Sequence, residues 1–351
     1  MFITGLGTAV PPRSFTQADC WQALQRAERP EITPRTRAIL QGILAHDNGI
    51  ERRSLALDSL DEGFDLDPDT LHRRFVKHAP ALAAQAAAKA LDEAGLAARD
   101  VDAVIISTCT GYLCPGLTSY VAEALHLRQD ALHLDLVGQG CGAALPNLRT
   151  AEALLASRRC DNVLSVCVEV CSAAFYLDND LGVLVSACLF GDGAGAAVLS
   201  SRAPKEGRRV EWKAAASLTD PSHRDALRFE QRGGMLRNIL TLPVPGLAAE
   251  HAAKVLNDVI GRENLPKAQI AAWIMHAGGR KVLSELESRL KLDAENLRWS
   301  SAVLREFGNL SSPFVLFVLE RALKERASGG WWWMSSFGAG FSCHGALLQV
   351  A

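Results

Sequence analysis

Residues 134–170 read LDLVGQGCGAALPNLRTAEALLASRRCDNVLSVCVEV, and this stretch decides the fold. An apolar run leads into a glycine-rich turn around Cys141, a helical segment follows, and a second apolar run closes the stretch. Residues 304–340 repeat this order with Gly308-Asn309 at the turn, in LREFGNLSSPFVLFVLERALKERASGGWWWMSSFGAG. Two copies of one turn–helix–strand unit in a chain indicate an internal duplication.

Two further pairs of segments follow the same order. Residues 87–111 (AAKALDEAGLAARDVDAVIISTCTG) and 252–279 (AAKVLNDVIGRENLPKAQIAAWIMHAGG) each have the pattern of a helix, a polar loop and an apolar strand. Residues 189–200 (LFGDGAGAAVLS) and 336–350 (SFGAGFSCHGALLQV) each have the pattern of a glycine-rich strand. Strands that alternate with helices predict an α/β architecture with largely buried sheets.

The length of 351 residues suffices for two domains or one large fused unit. We expect an N-terminal half over 1–205 that carries the cysteine turn and a C-terminal half over 206–351. A segment rich in charged and turn-forming residues, about 200–237, would join them. The first 80 residues or so contain helical segments without a counterpart in the second half, which indicates an insertion near the site or at a dimer contact.

Composition excludes several classes of protein. The net charge is −2, which gives no electrostatic basis for binding nucleic acid. No apolar run reaches the length of a membrane-spanning helix, and the start, MFITGLGTAVPP, resembles a strand and turn rather than a signal peptide. Nine cysteines, several in apolar runs, favour free thiols in a cytoplasmic setting, and their spacings do not indicate a metal site.

Three polar residues occupy the turns of the two predicted halves. Cys141 precedes a helix, whose N-terminus favours a thiolate. His276 ends an apolar strand, and Asn309 stands at the second copy of the cysteine turn. Each has a structural alternative: a small buried thiol, a strand-end histidine or a helix cap. Converging in one place, they would supply a nucleophile, a base that also donates to an oxyanion, and an amide donor for thioester chemistry.

These segments resemble the type III polyketide synthases, the chalcone and stilbene synthase-like family of the thiolase superfamily. The matching motifs are LDLVGQGCGAALPNLR, WIMHAGGRK, GNLSSPFVLFVLERAL, LFGDGAGAAVL and FGAGFS. The resemblance covers about residues 1–351 and is densest from residue 100 onward. It implies a thiolase-like fold whose duplicated halves form a layered αβαβα arrangement, in a homodimer.

The resemblance also implies a reaction. Cys141 would take an acyl starter from a CoA thioester, and malonyl-CoA would be decarboxylated while His276 and Asn309 stabilise the enolate oxygen. The carbanion would attack the acyl-cysteine carbonyl, and repeated extension would end in cyclisation to a pyrone or resorcinol. The substrates would be acyl-CoA and malonyl-CoA, with no cofactor and no metal.

Further positions are assigned through the same motifs. Phe190 matches a gatekeeper phenylalanine between the CoA tunnel and the cavity, whereas Asn238 replaces the second one. Cys114 matches a side chain inserted into the partner subunit's cavity, and Lys281 matches a lysine that contacts CoA. The other predicted cavity residues are Cys109, Thr110, Cys171, Ala174 and Ser311. Basic residues that bind CoA phosphates in the family are replaced by Gln41, Leu44 and Asn48. CoA binding would therefore be weaker or use other arginines, or an acyl carrier protein would deliver the starter.

Three replacements bear on the starter. Cys109, Cys171 and Ala174 stand where plant members carry hydroxyl groups, and their loss favours an alkyl chain over a phenol. We therefore expect a fatty acyl starter, unless Trp273 or the tryptophans at 331–333 point inward and narrow the cavity.

Two alternatives remain open. A ketoacyl-carrier-protein synthase III shares the Cys-His-Asn set but typically has His-Gln-Ala-Asn where this chain has His276-Ala-Gly-Gly. A catalytically silent thiolase-like subunit would bind acyl groups only, although such subunits tend to lose the cysteine that this chain keeps.

Overall fold

The computed structural model describes residues 1–27 and 29–351, which form ten α-helices, thirteen β-strands and several short 3-10 turns. The strands are β1 Phe2–Ala9, β2 Ser14–Thr16, β3 Arg52–Ser54, β4 Ala103–Ser107, β5 Leu132–Leu136, β6 Asn162–Glu169, β7 Gly193–Ser200, β8 Val210–Thr219, β9 Leu227–Arg232, β10 Met235–Leu240, β11 Ile270–Met275, β12 Gly330–Gly338 and β13 Ser342–Val350. The helices are α1 Gln17–Arg26, α2 Pro34–Leu44, α3 Pro68–Ala94, α4 Leu117–Leu125, α5 Ala144–Ala156, α6 Leu181–Leu189, α7 Val244–Arg262, α8 Arg280–Leu290, α9 Arg298–Phe307 and α10 Phe314–Lys324.

The main sheet shows the duplication that the sequence predicts. Its strand order is β11-β12-β13-β8-β1-β7-β6-β4-β5. In the first set, β4 pairs with β6 in parallel, and β6–β7 and β7–β1 are antiparallel. In the second set, β11 pairs with β12 in parallel, and β12–β13 and β13–β8 are antiparallel. The pairing pattern therefore occurs twice, and the predicted duplicated α/β fold is confirmed.

Helices cover both faces of this sheet. On one face, α3 and α4 pack with β4, β6 and β7 around an alanine-rich core. A larger core is built by α5 and α10, which contact strands of both sets, and by α7, which packs against β8 and β13. Helix α8 packs against α7, and α9 packs against α10. Among the described residues, the two strand sets pair where Phe2 faces Glu211 and Ile3 faces Val210. The proposed boundary at residue 205 falls in the connection between β7 and β8 and stays a prediction.

The helices predicted in the first 80 residues are present as α1 and α2. Together with α6 they bury a small apolar cluster that includes Leu24, Leu40 and Leu184. The β9–β10 hairpin lies outside the main sheet and contacts α6. Within residues 1–27 and 29–351, no helix combines the length and the apolar character needed to cross a bilayer.

Two glycines let α3 approach the sheet closely. A Cβ placed on Gly5 would lie 2.1 Å from the Ala90 carbonyl oxygen, and one placed on Gly7 would lie 2.1 Å from that of Ala86. Both oxygens belong to the α3 backbone, which cannot move aside like a flexible side chain. The contact between α3 and β1 therefore requires glycine at these positions.

We predict that Gly7→Ala lowers the free energy of unfolding by about 2 kcal/mol or more, because an extra methyl group must push α3 off β1. The matched control is Gly42→Ala in α2, where no atom lies within 4 Å of the added Cβ. That change should instead stabilise the protein by about 0.5–1 kcal/mol. Urea unfolding of the three proteins measures both effects, and equal stabilities would contradict the packing argument.

Candidate active site

Cys141 lies in a short 3-10 turn, Gly140–Gly142, directly before α5. Its side chain is buried, and its Sγ accepts a hydrogen bond from the Ser311 hydroxyl at 3.3 Å. Burial raises the pKa of the Cys141 thiol to about 12, although the Ser311 hydrogen bond lowers it. The helix N-terminus was expected to favour a thiolate, but burial outweighs it, so the thiol is protonated near neutral pH in the unliganded protein.

The segment before α10 connects Cys141 to the strand end that carries His276. The Asn309 side chain donates from Nδ2 to the Gly278 carbonyl at 3.0 Å, and its Oδ1 accepts from the Ser311 backbone N–H at 2.8 Å. Ser311 adopts a left-handed φ of 59°, which is uncommon for a residue other than glycine. These contacts bring the three predicted turns together at one place.

His276 follows β11 and is enclosed by aromatic rings. The centroids of Phe314 and Phe337 lie 5.1 Å and 4.9 Å from that of the imidazole. Neither ring nitrogen has a hydrogen-bond partner in the part of the chain that the structure describes. Burial lowers the pKa of His276 to about 3, so the ring is neutral and carries one donor and one acceptor. A neutral imidazole in this state can accept a thiol proton and can donate to an oxyanion.

Cys141 borders a narrow, mostly apolar cavity. The predicted residues that line it are Thr110, Cys171, Ala174, Phe190, Asn238 and Ser311. Much of the remaining wall is apolar and includes Phe175, Val183, Ala187 and Leu227. Phe190 also forms an isolated backbone bridge with Asn309, which ties the predicted gate to the catalytic turn.

Three predicted site residues lie elsewhere. Cys109 sits behind Ser311, with 3.6 Å between Sγ and the Ser311 hydroxyl oxygen, and it lines a neighbouring groove instead of the Cys141 cavity. Cys114 is exposed in the segment that leads into α4. Lys281 is exposed in the first turn of α8.

In the part of the chain that the structure describes, the tryptophans do not narrow the cavity. Trp332 and Trp333 are fully buried in the larger core, where Trp273 is also buried. Trp331 is half-buried at the margin of that core. No tryptophan among the described residues lines the Cys141 cavity.

Sequence reasoning did not assign a role to Glu169, the last residue of β6. Its carboxylate is fully buried and accepts hydrogen bonds from the Thr110 hydroxyl at 2.9 Å, the Cys109 N–H at 3.0 Å and the Ser312 hydroxyl at 2.5 Å. Burial raises the pKa of this carboxyl, and the hydrogen bonds oppose that shift. An acidic residue within the apolar run VLSVCVEV was the available signal, because a buried carboxylate needs partners.

Comparison with known proteins decides the family. Residues 61–220 match a family model described as FAE1/Type III polyketide synthase-like protein, and residues 224–350 match the chalcone and stilbene synthase C-terminal domain. A 3,5-dihydroxyphenylacetyl-CoA synthase of Amycolatopsis balhimycina is 30% identical over 353 residues, covering 98% of this chain and 92% of the relative. This chain belongs to the type III polyketide synthase family.

Other relatives extend the comparison. An alpha-pyrone synthesis polyketide synthase-like protein of Mycobacterium tuberculosis is 27% identical and covers 99% of this chain and 91% of its own length. The solved 1,3,6,8-tetrahydroxynaphthalene synthase of Streptomyces coelicolor superposes with a TM-score of 0.90 at 24% identity, over 99% of both chains. The thiolase-like fold is thereby established, and the chain is an acyltransferase of the polyketide synthase type.

For this type III polyketide synthase we predict a pH dependence of stability that originates at His276. Because its folded pKa of about 3 lies below the ordinary value of 6.5, the unfolded chain binds a proton in that interval that the folded chain does not. The effect of His276 on the free energy of unfolding is therefore constant above pH 6.5. Below pH 6.5 the free energy of unfolding falls by up to about 1.4 kcal/mol per pH unit, because the unfolded chain binds the extra proton.

His276→Gln removes this titration. The free energy of unfolding of the wild type minus that of the variant should be constant above pH 7 and should fall between pH 6.5 and pH 5. Urea unfolding at several pH values measures it. A difference that does not change with pH would show that His276 is protonated in the folded protein as easily as in the unfolded chain.

Proposed function

We propose that this enzyme condenses malonyl-CoA repeatedly onto an acyl starter held as a thioester on Cys141. The extended chain would then cyclise to a pyrone or a resorcinol. The observation that carries the proposal is the hydrogen-bonded connection from the Cys141 thiol through Ser311 to Asn309, beside an enclosed apolar cavity. A thiol, an amide side chain and an apolar wall in one place support thioester chemistry that is shielded from water.

In the loading step, neutral His276 takes the proton of the Cys141 thiol as Sγ attacks the thioester carbonyl of the starter. The carbon–sulfur bond to CoA breaks, and the leaving CoA sulfur recovers the proton from the imidazolium. Since desolvation strongly disfavours a charged imidazolium here, His276 returns the proton readily. The acyl group then remains on Cys141.

In the extension step, malonyl-CoA loses CO₂, and the electron pair of the broken carbon–carbon bond forms an enolate. The His276 N–H and the second Nδ2 hydrogen of Asn309 donate to the enolate oxygen, because the first Nδ2 hydrogen is engaged by Gly278. The enolate carbon attacks the acyl carbonyl, the bond to Cys141 Sγ breaks, and the thiolate is ready for reloading. Each step uses only side chains and the two thioesters.

The starter that we propose is a medium- or long-chain fatty acyl group. The cavity wall is mainly apolar, and a second apolar cavity shares Phe175 and Ala187 with it. Each buried CH₂ group contributes about 0.8 kcal/mol, so four additional methylene groups contribute about 3 kcal/mol to binding. The names of two relatives are consistent with a pyrone or small aromatic product. One is an alpha-pyrone synthesis polyketide synthase-like protein, and the other is a 1,3,6,8-tetrahydroxynaphthalene synthase.

We propose that Lys281 binds the phosphates of CoA. It is exposed in the first turn of α8, and the neighbouring Arg280 forms an ion pair with Asp47. Leu44, at one of the positions where basic residues were expected from the family, is buried and cannot serve. A starter delivered by an acyl carrier protein remains the alternative that the same lack of basic residues supports.

We also propose a cytoplasmic homodimer. Strand β5 is an edge of the main sheet, and it leaves Leu132 43% and the adjacent Val137 65% exposed. Tyr112 is 73% exposed near Cys114. Exposed apolar edge strands are usually covered, and a second copy would cover this one. Light scattering at micromolar concentration should give the mass of two chains, and a fully active monomer would contradict the proposal.

The central test of the function is product formation by purified enzyme given malonyl-CoA and a series of acyl-CoA starters, analysed by mass spectrometry. Cys141→Ala should abolish every condensation product, because it removes the nucleophile with little change in volume. His276→Ala and Asn309→Ala should each slow malonyl-CoA decarboxylation about 10²- to 10³-fold. Absence of any product with every starter, together with no acyl transfer onto Cys141 in intact-protein mass spectrometry, would instead favour a silent acyl-binding subunit.

The starter proposal has its own test in a graded series at Ala174, whose side chain lines the cavity. Ala174→Val and Ala174→Trp should progressively shorten the longest acyl-CoA accepted, while decarboxylation of malonyl-CoA alone continues. We expect kcat/KM to be highest for fatty acyl-CoA in the wild type. A maximum for an aromatic CoA, together with an unchanged chain-length profile in both variants, would overturn the alkyl starter.

A further inference from the structure

Asn238 presents a buried amide to the cavity without a partner. The residue is 7% exposed, and its Oδ1 is fully buried and accepts no hydrogen bond from the residues that the structure describes. It lines the same cavity as Cys141 and Phe190. Buried polar side chains are nearly always hydrogen-bonded, so an orphaned amide oxygen in a ligand cavity indicates a missing donor.

The strand that carries Asn238 is firmly anchored. Asn238 pairs with Phe229 across the β9–β10 hairpin. The preceding residue, Arg237, is ion-paired with Asp178 and Asp180 at 3.0 Å each, and with Glu230 at 2.8 Å. The backbone position of the amide is therefore fixed by its neighbours, and its Oδ1 is held at the cavity wall without a hydrogen-bond partner among the described residues.

Several other polar side chains of the wall already have hydrogen-bond partners. The Thr110 hydroxyl donates to Glu169 and accepts from the Val170 N–H, both at 2.9 Å. The Ser311 hydroxyl donates a hydrogen bond to the Cys141 sulfur, and Arg228 donates one to the Asp225 carbonyl. Ser186 lines the cavity too, but a hydroxyl lacks the separate donor and acceptor ends of an amide. Asn238 is thus the wall residue suited to a ligand group that offers both N–H and C=O.

A CoA thioester brings such a group into this cavity by necessity. Only two methylene groups separate the thioester sulfur from the first amide nitrogen of the pantetheine arm. When the thioester carbonyl reaches Cys141, that amide has to lie within the enclosed space that Cys141 borders. A secondary amide in an apolar enclosure needs a partner, and the Asn238 amide can both accept from its N–H and donate to its C=O.

We infer that Asn238 positions the thioester substrate by pairing with the pantetheine amide nearest the sulfur. This inference rests on the proposed function, because it takes a CoA thioester as the substrate. Asn238, which replaces the second gatekeeper phenylalanine, would hold the pantetheine arm of the substrate by a hydrogen bond while the acyl group reacts at Cys141. Asn238 is a specificity-determining residue, and the chemistry remains with Cys141, His276 and Asn309.

The experiment compares two acyl thioesters of equal size. One is the N-acetylcysteamine thioester, which keeps the amide, and the other has a methylene group in place of the amide nitrogen and is a ketone. The wild type should prefer the amide about tenfold in kcat/KM, the value of one net hydrogen bond. In Asn238→Leu the preference should fall to about onefold, whereas the matched cavity variant Ser186→Ala should keep it.

Two further measurements separate this inference from the reaction and from folding. Binding of the corresponding unreactive thioethers by calorimetry should show the same tenfold preference in the wild type and its loss in Asn238→Leu, even if no product is ever formed. Thermal unfolding of Asn238→Leu should give a Tm equal to or above that of the wild type, since an unpaired buried oxygen is removed.

Three results would overturn the inference. The first is that the wild type binds the amide and ketone compounds equally well. The second is that Asn238→Leu keeps the full preference for the amide, and the third is that this variant loses kcat/KM equally for both thioesters. The last would mean that the side chain contacts the acyl group or shapes the wall. Absence of product with every thioester, accompanied by a retained binding preference, would instead overturn the proposed function alone.

Discussion

The site depends on the hydrogen bonds that the buried carboxylate of Glu169 accepts. This carboxylate accepts hydrogen bonds from Cys109 and Thr110, which follow β4, and from Ser312, which precedes α10. These donors are separated by about two hundred residues in sequence, and the carboxylate holds them together. An unpaired carboxylate in this setting would be strongly destabilising, so the turn that carries Asn309 and Ser311 is held where Ser311 reaches the Cys141 thiol.

The repeated pairing pattern of the sheet explains why these groups meet. Cys141 precedes α5 and Asn309 precedes α10, and these helices lead into the equivalent strands β6 and β12. His276 follows β11, as Thr108 and Cys109 follow the equivalent β4. Because equivalent ends of the two strand sets face the same region, one duplication brings Cys141 to one side of the site and the turns of His276 and Asn309 to the other. Each half alone would lack part of the chemistry.

Burial gives the site its resting electrostatic state. The thiol of Cys141 and the imidazole of His276 are both held in their uncharged forms, since the enclosure disfavours an isolated ion. In the mechanism that we propose, charge develops only when a substrate is bound, and His276 and Asn309 then donate to it. The same enclosure leaves the amide of Asn238 unpaired, a local loss of stability that is understandable if a substrate group completes the bond.

The sequence by itself determined the duplication, the α/β class, the family and the Cys141–His276–Asn309 set, because these depend on periodicity and on motifs that are local in the chain. It also predicted most of the cavity wall, including Phe190, Ala174 and Cys171. Only the tertiary structure decided that Cys109 lies behind Ser311, that Glu169 organises the site, and that burial keeps the Cys141 thiol protonated. Burial and hydrogen-bond partners come from residues far apart in the chain. The electrostatic environment of a side chain is therefore fixed only once those residues have packed together.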